Sequence, residues 1–300
     1  MSDPSDTPKS PTLKSQLFLV AGASGQQGGH VARQLLAHGH RVRALARNPQ
    51  NPKLDDLRSK GVEAVAGSFD DPASVVRAAN GIDGMFLMGT PMGGADAEKR
   101  QGIAVVDAAK AAGVPWLVYS SVGDANRATG IPHFESKFAV EEHLRSSGIP
   151  SAVSAPTAFM ENFLAPYSLG SLRQGKLTSG TSPDRRVQLV ALDDLGAFVA
   201  HVLEHPRHFR GKRINVASDA VSESEAARIL SEATGRKIEY QQIPLDVLRA
   251  QNADYAKMFE WFESGGYTAD IDALRREYPG VGWHRVRDWA AGQDWARLLG

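Results

Sequence analysis

Short apolar runs alternate along the chain with longer stretches in which apolar residues recur every three or four positions. Leu17–Ala21 is unbroken by any polar residue, the pattern of a strand buried on both faces. Val31, Leu35 and Leu36 then fall on one face of a helix over Gly28–His38, which Gly39 ends. The rhythm repeats. Strands are predicted at Arg41–Ala46, Val62–Ala66, Met85–Met88, Trp116–Ser120 and Ser151–Ala155. Between them the spacing predicts helices over Leu54–Lys60, Pro72–Asn80, Ala97–Ala112 and Phe134–Ser147. Such alternation implies right-handed crossovers and a parallel sheet with helices on both faces.

After Pro156 the rhythm breaks. Leu164–Asp184 is rich in Gly, Ser and Pro and reads as loop with a short helix. Helices are expected over Leu195–Leu203, Glu223–Thr234, Leu245–Phe262 and Val286–Leu299, with strands at Arg213–Val216 and Lys237–Gln241. The expected fold class is therefore α/β: a Rossmann-type doubly wound parallel sheet with a smaller, mostly helical C-terminal lobe. The expected domains are a disordered tail over 1–15, a dinucleotide-binding domain over 16–156, and the smaller lobe over 157–300. Parts of that lobe, about 187–217, would complete the sheet domain. Ligands of open parallel sheets sit beyond the carboxyl ends of the strands, so the lobe would wall that cleft.

Composition narrows the chemistry. Lys+Arg and Asp+Glu both number 34, so there is no chain-wide basic field for nucleic acid, and no direct nucleic-acid partner is expected. No cysteine is present, which excludes disulfides, thiol catalysis and thiolate metal sites. No run approaches the roughly 18 apolar residues of a membrane span, and the first residues lack the apolar stretch of a signal peptide. A cytoplasmic protein is expected, with a homo-oligomer left open.

The stretch GASGQQG, Gly22 to Gly28, lies between the first strand and the first helix. Gly22 permits the tight turn, Gly25 lets backbone approach a phosphate, and Gly28 lets the helix pack close to the strand. Free amides and the positive end of the helix dipole then face an anion, here a dinucleotide diphosphate. The spacing is GxxGxxG rather than the commoner GxGxxG. Folds that prefer NAD place an acid about 20 residues further on, at the end of the second strand. From His40 to Leu54 there is none; the segment offers Arg41, Arg43, Arg47 and Lys53. A guanidinium there suits a 2′-phosphate, and Arg47 comes first after the strand. NADP(H) is therefore expected in preference to NAD(H).

Short-chain dehydrogenases carry a Tyr and, four residues later, a Lys beside a Ser after the fifth strand. Here that strand ends in Ser120 and Ser121, and the spacing falls on His133 and Lys137. These are the candidate catalytic pair. Lys137 fits the cofactor ribose. His133 could serve acid–base chemistry or be a remnant in a site that only binds. Tyr119 is expected to be structural, as are Trp283, Trp289 and Trp295 in the C-terminal lobe. His201, His205 and His208 have a loosely metal-like spacing, but Pro206 interrupts it, and no metal is expected.

The motifs GASGQQGG, VRALARNP, GSFDD, HFESKFAVEEHL and FMENFL resemble those of the NmrA-like family, atypical short-chain dehydrogenase relatives. The likeness runs from about Leu17 to the C-terminus and is nearest to the group that contains the human NADPH sensor. It implies that Gly22, Ala23, Ser24, Gly25, Gln26, Gln27 and Gly28 line the diphosphate. Arg47 would take the 2′-phosphate, with Asn51 or Lys53 nearby. Ser68 and Phe69 would flank the adenine, although the nearest relatives carry polar residues there. Gly89, Thr90 and Pro91 would border ribose and diphosphate, Lys137 the nicotinamide ribose, and Phe159, Met160, Glu161 and Asn162 the nicotinamide. The family commonly has His in place of the Tyr. Some members are thought to sense cofactor redox state and bind regulatory proteins; others reduce quinones or plant phenolics. The reading favoured by the sequence is a cofactor- and redox-sensing regulator with weak or no dehydrogenase activity, whose 164–184 loop, with little to bury, is mobile without cofactor. The alternative is an NADPH-dependent reductase of a small quinone-like or aromatic substrate.

Overall fold

The computed structural model describes residues 15–89 and 93–300. The tail expected over 1–15 lies outside them except for Ser15, and so do Thr90 and Pro91. The strands are β1 Leu17–Ala21, β2 Arg41–Ala46, β3 Glu63–Ala66, β4 Gly84–Met88, β5 Leu117–Ser120, β6 Ser151–Pro156, β7 Ala158–Phe159, β8 Lys176–Ser179, β9 Arg186–Val190, β10 Arg213–Val216, β11 Asp219–Ser222 and β12 Glu239–Gln242. The helices of the first half are α1 Gln26–Ala37, α2 Asp55–Ser59, α3 Pro72–Ala78, α4 Ala95–Ala111 and α5 Pro132–Ser147. Those that follow are α6 Pro166–Arg173, α7 Leu192–Glu204, α8 Pro206–Phe209, α9 Glu223–Thr234, α10 Leu245–Gln251, α11 Ala253–Ser264, α12 Ile271–Glu277, α13 Val286–Ala291 and α14 Trp295–Leu299.

Seven strands form a parallel sheet in the order β10-β6-β5-β4-β1-β2-β3. Strand β1 shows why these strands read as continuous apolar runs. Phe18 and Val20 enter the core under α1 and α7, with Val31, Leu35, Leu195 and Phe198. Leu19 and Ala21 enter the opposite core under α3, α4 and α5, with Val75, Val105 and Leu144. Both faces are dry, so every residue of β1 is buried; each large side chain there contributes about 1.5–3 kcal/mol. The chain order reverses between β1 and β4, and the carboxyl ends of those two strands bound the crevice where ligands of such sheets lie.

Glycine sets the distance between α1 and β1. A Cβ on Gly28 would sit 2.5 Å from the Gly22 carbonyl and 2.6 Å from the Ala21 oxygen. Gly22 has φ +71°, a left-handed conformation that glycine adopts without steric cost.

The second half departs from the expected elements. Strands β7, β9 and β11 form a small mixed sheet, and β8 pairs parallel with β12. The segment 164–184 is not a loop with little to bury: it holds α6 and β8, and Leu172, Leu177 and Thr181 are all buried. The helix expected over Leu245–Phe262 is two helices. Asn252 leaves helical geometry and its Oδ1 accepts the Asp254 and Tyr255 amides at 2.9 and 3.2 Å, capping α11. The helix expected over Val286–Leu299 likewise breaks after Ala291, and Asp294 caps α14. Trp289 and Trp295 pack the lobe core, whereas Trp283 packs beneath the large sheet with Phe198.

The close approach of α1 predicts a graded glycine series. Gly28→Ala should cost about 1–3 kcal/mol from overpacking against backbone. Gly25→Ala, whose Cβ would lie 3.3 Å from the Gly22 oxygen, should cost distinctly less. Urea denaturation of both variants checks this; equal losses would refute it.

Candidate functional site

The β1–α1 turn presents bare backbone. Gly25 precedes α1, no side chain caps the helix and its first turn carries no acid, so the amides at the helix start are free for an outside anion. The Gly25 amide donates to the Gly22 oxygen at 2.8 Å, which closes the turn. Ala23 is buried, while Ser24 and Gln26 lie at the surface edge of the turn. Gln27 points inward, and its Oε1 accepts the Ser120 hydroxyl at 2.7 Å, tying the turn to the end of β5.

Arg47 is exposed just past β2 and makes no hydrogen bond or ion pair among the described residues. Its neighbours have other duties. Arg43 pairs with Glu63 at 2.8 Å and donates to the carbonyls of Ala78 and Asn80. Asn51 Oδ1 accepts the Lys53 amide at 3.0 Å, which shapes the following turn. The Ser68 amide donates to Ser74 Oγ at 3.0 Å, and Phe69 packs partly buried against the core under α3 and α4.

Beyond the turn a cavity of about 650 Å³ runs between the large sheet and the C-terminal lobe. It is lined by Gln26, Gln27 and Gly89 beside the turn, by His133 and Lys137, and by Phe163, Val187, Leu189, Phe259 and Phe262. Phe159 and Asn162 line it as well. Met160 and Glu161, expected beside them, do not line it. Met160 is fully buried in the lobe core. Both oxygens of Glu161 accept the Leu192 amide at 3.1 Å, and Oε1 also takes Trp289 Nε1 at 3.0 Å. Glu161 thus joins the start of α7 to α13, and burial pushes its carboxyl above the usual range. Where the two-residue strand gives way to a tight 3₁₀ turn, Phe159 and Asn162 face the cavity and the two residues between them turn away from it.

His133 and Lys137 project from the first turns of α5, which Pro132 opens. Lys137 Nζ lies 2.5 Å from Glu98 Oε1, and Glu98 is buried at the start of α4. The second Glu98 oxygen accepts Ser136 Oγ at 2.7 Å. Gly89 leaves room for this carboxylate, since a Cβ there would be 2.8 Å from Oε1. Glu98 was not legible in sequence, because its partner is 39 residues away. The His133 ring meets Phe134 edge-on and has no side-chain hydrogen bond among the described residues. Burial, and then the Lys137 ammonium, hold it below the usual imidazole range, against weaker opposing pulls from Asp254 and Glu98. At neutral pH it is an uncharged imidazole that can donate one hydrogen bond.

Ser120, which ends β5, and Ser121, which follows it, are committed: Ser120 to Gln27, and Ser121 to the buried Glu141, which pairs with Arg213 at 2.8 Å. Tyr119 is buried, its hydroxyl has no partner among the described residues, and burial raises its pKa well above the usual phenol range. Of the three C-terminal histidines, His201 and His205 come together with Glu204 rather than with His208. Glu204 Oε1 is already engaged by His38 at 2.6 Å and His40 at 3.0 Å. His208 lies one turn on, beyond Pro206, and meets Lys212.

Residues 14–286 match the model of the NmrA-like family. The chain belongs to the NmrA-like family. Family membership does not extend to particular closeness with the human sensor group. One relative is the NmrA-like family domain-containing oxidoreductase malD of Malbranchea aurantiaca, 31% identical over 84% of this chain and 84% of that one. Among solved structures, the NADPH complex of an NADPH-dependent quinone oxidoreductase from Escherichia coli superposes with a TM-score of 0.78 at 22% identity. That alignment covers 95% of this chain and all, 100%, of the other. NmrA, a negative transcriptional regulator solved with NADP, gives the same TM-score of 0.78 at 22% identity, over 95% and 100% of the two chains. Such likeness at low identity establishes the Rossmann-type fold. No helix among the described residues is long and apolar enough to cross a membrane.

The environment of His133 predicts its titration. NMR of the ring nitrogens should give a midpoint below the ordinary value of about 6.5. Glu98→Gln removes an anion that favours the imidazolium and leaves Lys137 unneutralised, so the midpoint should fall further. Because the folded value lies below the unfolded one, His133 disfavours folding as pH falls through the imidazole range. A midpoint at or above 6.5 would contradict this electrostatic picture.

Proposed function

We propose that this protein is an NADP(H)-dependent reductase of small, largely apolar aromatic or quinone-like compounds. One observation carries the reading: a single cavity is lined by Gln26 and Gln27 beside the glycine turn, by His133 and Lys137, and by a group of aromatic side chains. A dinucleotide bound along the turn would bring its reactive end to the same space an apolar substrate would fill. The names of relatives support this class: they include malD, Escherichia coli quinone oxidoreductase 2 and an NAD(P)H azoreductase of Xenophilus azovorans.

The residues fit the cofactor. The uncapped start of α1 and the Gly22 to Gly28 backbone suit the diphosphate. Arg47, exposed and uncommitted, suits a 2′-phosphate. Lys137 would hold the nicotinamide ribose, its charge balanced and its stem fixed by Glu98. When bound, the dinucleotide supplies a hydride. The protein contributes position, exclusion of water, and a neutral His133 that donates a hydrogen bond to a carbonyl or quinone oxygen. The sensor reading loses the argument that singled out 164–184, since that segment buries Leu172, Leu177 and Thr181.

Two measurements test the proposal. In calorimetric titration, Arg47→Ala should weaken NADPH by about 1.5–3 kcal/mol and leave NADH nearly unchanged. Equal affinity of the wild type for both cofactors would remove Arg47 from its role. NADPH oxidation should be observed with aromatic ketones and quinones, and with ketones His133→Ala should lower kcat by about 10²-fold. Tight, NADP-selective binding with no turnover across the panel would overturn the reductase reading in favour of the sensor.

A further inference from the structure

Among the described residues, one acid lines the cavity. Glu223 lines it, the first residue of α9, and Thr181 Oγ1 donates to its Oε1. Ser179 completes the polar spot, with its hydroxyl 2.9 Å from that of Thr181. The carboxylate is not spent on capping. Ser222 and Glu225 already form the capping box of α9, the Ser222 amide donating to Glu225 Oε2 at 2.8 Å. No cation answers it either. Among the described residues Glu223 is in no ion pair, and neither is its neighbour Glu263, which takes the Ser182 amide and hydroxyl at 2.5 and 2.8 Å. Arg185 is turned to the Phe262 carbonyl at 2.7 Å. Lys137, the one lysine on the cavity wall among the described residues, is held by Glu98.

An acid placed so is under electrostatic load. Burial raises the Glu223 pKa and Glu263 raises it further, against the hydroxyl bonds and the favourable end of the α9 dipole. An apolar sleeve with one uncompensated carboxylate is complementary to an apolar body bearing a positive charge. We propose that Glu223 is the counter-ion for a cationic nitrogen carried on an aromatic ligand, and that it sets the specificity of this cavity. The proposal rests on reading the cavity as the substrate pocket beside the dinucleotide, and it narrows the substrate to amine- or iminium-bearing aromatics.

The test compares two fluorescent tricyclic probes with one ring skeleton at slightly alkaline pH: proflavine, a cation there, and acridine, neutral there. With protein saturated in oxidised NADP, proflavine should bind at least about tenfold more tightly than acridine. Glu223→Gln should reduce that ratio to near one. A ratio near one in the wild type, failure of both probes to bind, or a preference that survives in E223Q would each overturn the proposal. The wild-type comparison decides the matter even if the variant does not fold. Titration of oxidised NADP on the same sample separates the two readings. Nucleotide binding without cation preference would overturn this proposal alone, whereas cation preference without nucleotide binding would uphold Glu223 and overturn the reductase reading.

Discussion

Helix α1 can lie against β1 only because residue 28 has no side chain. A single methyl there would press within 2.5 Å of the Gly22 carbonyl. That contact sets where the free amides of α1 point, and they point at the crevice between β1 and β4 where the strand order reverses. Gln27, one residue earlier, then reaches Ser120 at the end of β5. The position of the turn relative to the cavity follows from this close packing, so a defect at Gly28 would propagate into the site.

The other half of the site depends on buried carboxylates that join elements distant in sequence. Glu98 on α4 fixes Lys137 on α5. Glu161 ties the start of α7 to Trp289 on α13, and so joins the sheet domain to the lobe that supplies the aromatic wall. Breaking either group would leave partners unsatisfied in a dry interior, a cost of about 1–3 kcal/mol for each neutral group and more for a charge. Glu98 is answered by a cation, whereas among the described residues Glu223 has only hydroxyl donors.

The parallel sheet was legible because its strands are dry on both faces and its helices carry regular apolar stripes. The glycine turn was legible because glycine there answers a steric demand that the strand–turn–helix pattern itself implies. His133 and Lys137 were found by their spacing. What stayed hidden depends on long-range pairing. Strands β7, β9 and β11 are short and only partly buried, so no period marks them. The break at Asn252 is a local cap inside an otherwise helical pattern. Met160 and Glu161 were read as bordering one ligand with Phe159 and Asn162, but Met160 fills the lobe core and Glu161 is taken up by the Leu192 amide and Trp289. Glu98, Thr181 and Glu223 could be placed in the site only once the fold had brought them there.

The proposed function requires that the glycine turn and the aromatic-lined cavity form one continuous site. A crystal structure with oxidised NADP tests it directly. The diphosphate is expected against the glycine turn and the free amides at the start of α1, the 2′-phosphate at Arg47, and the nicotinamide between Lys137 and Phe159. A nucleotide bound elsewhere, or one whose nicotinamide end turns away from the cavity, would contradict it.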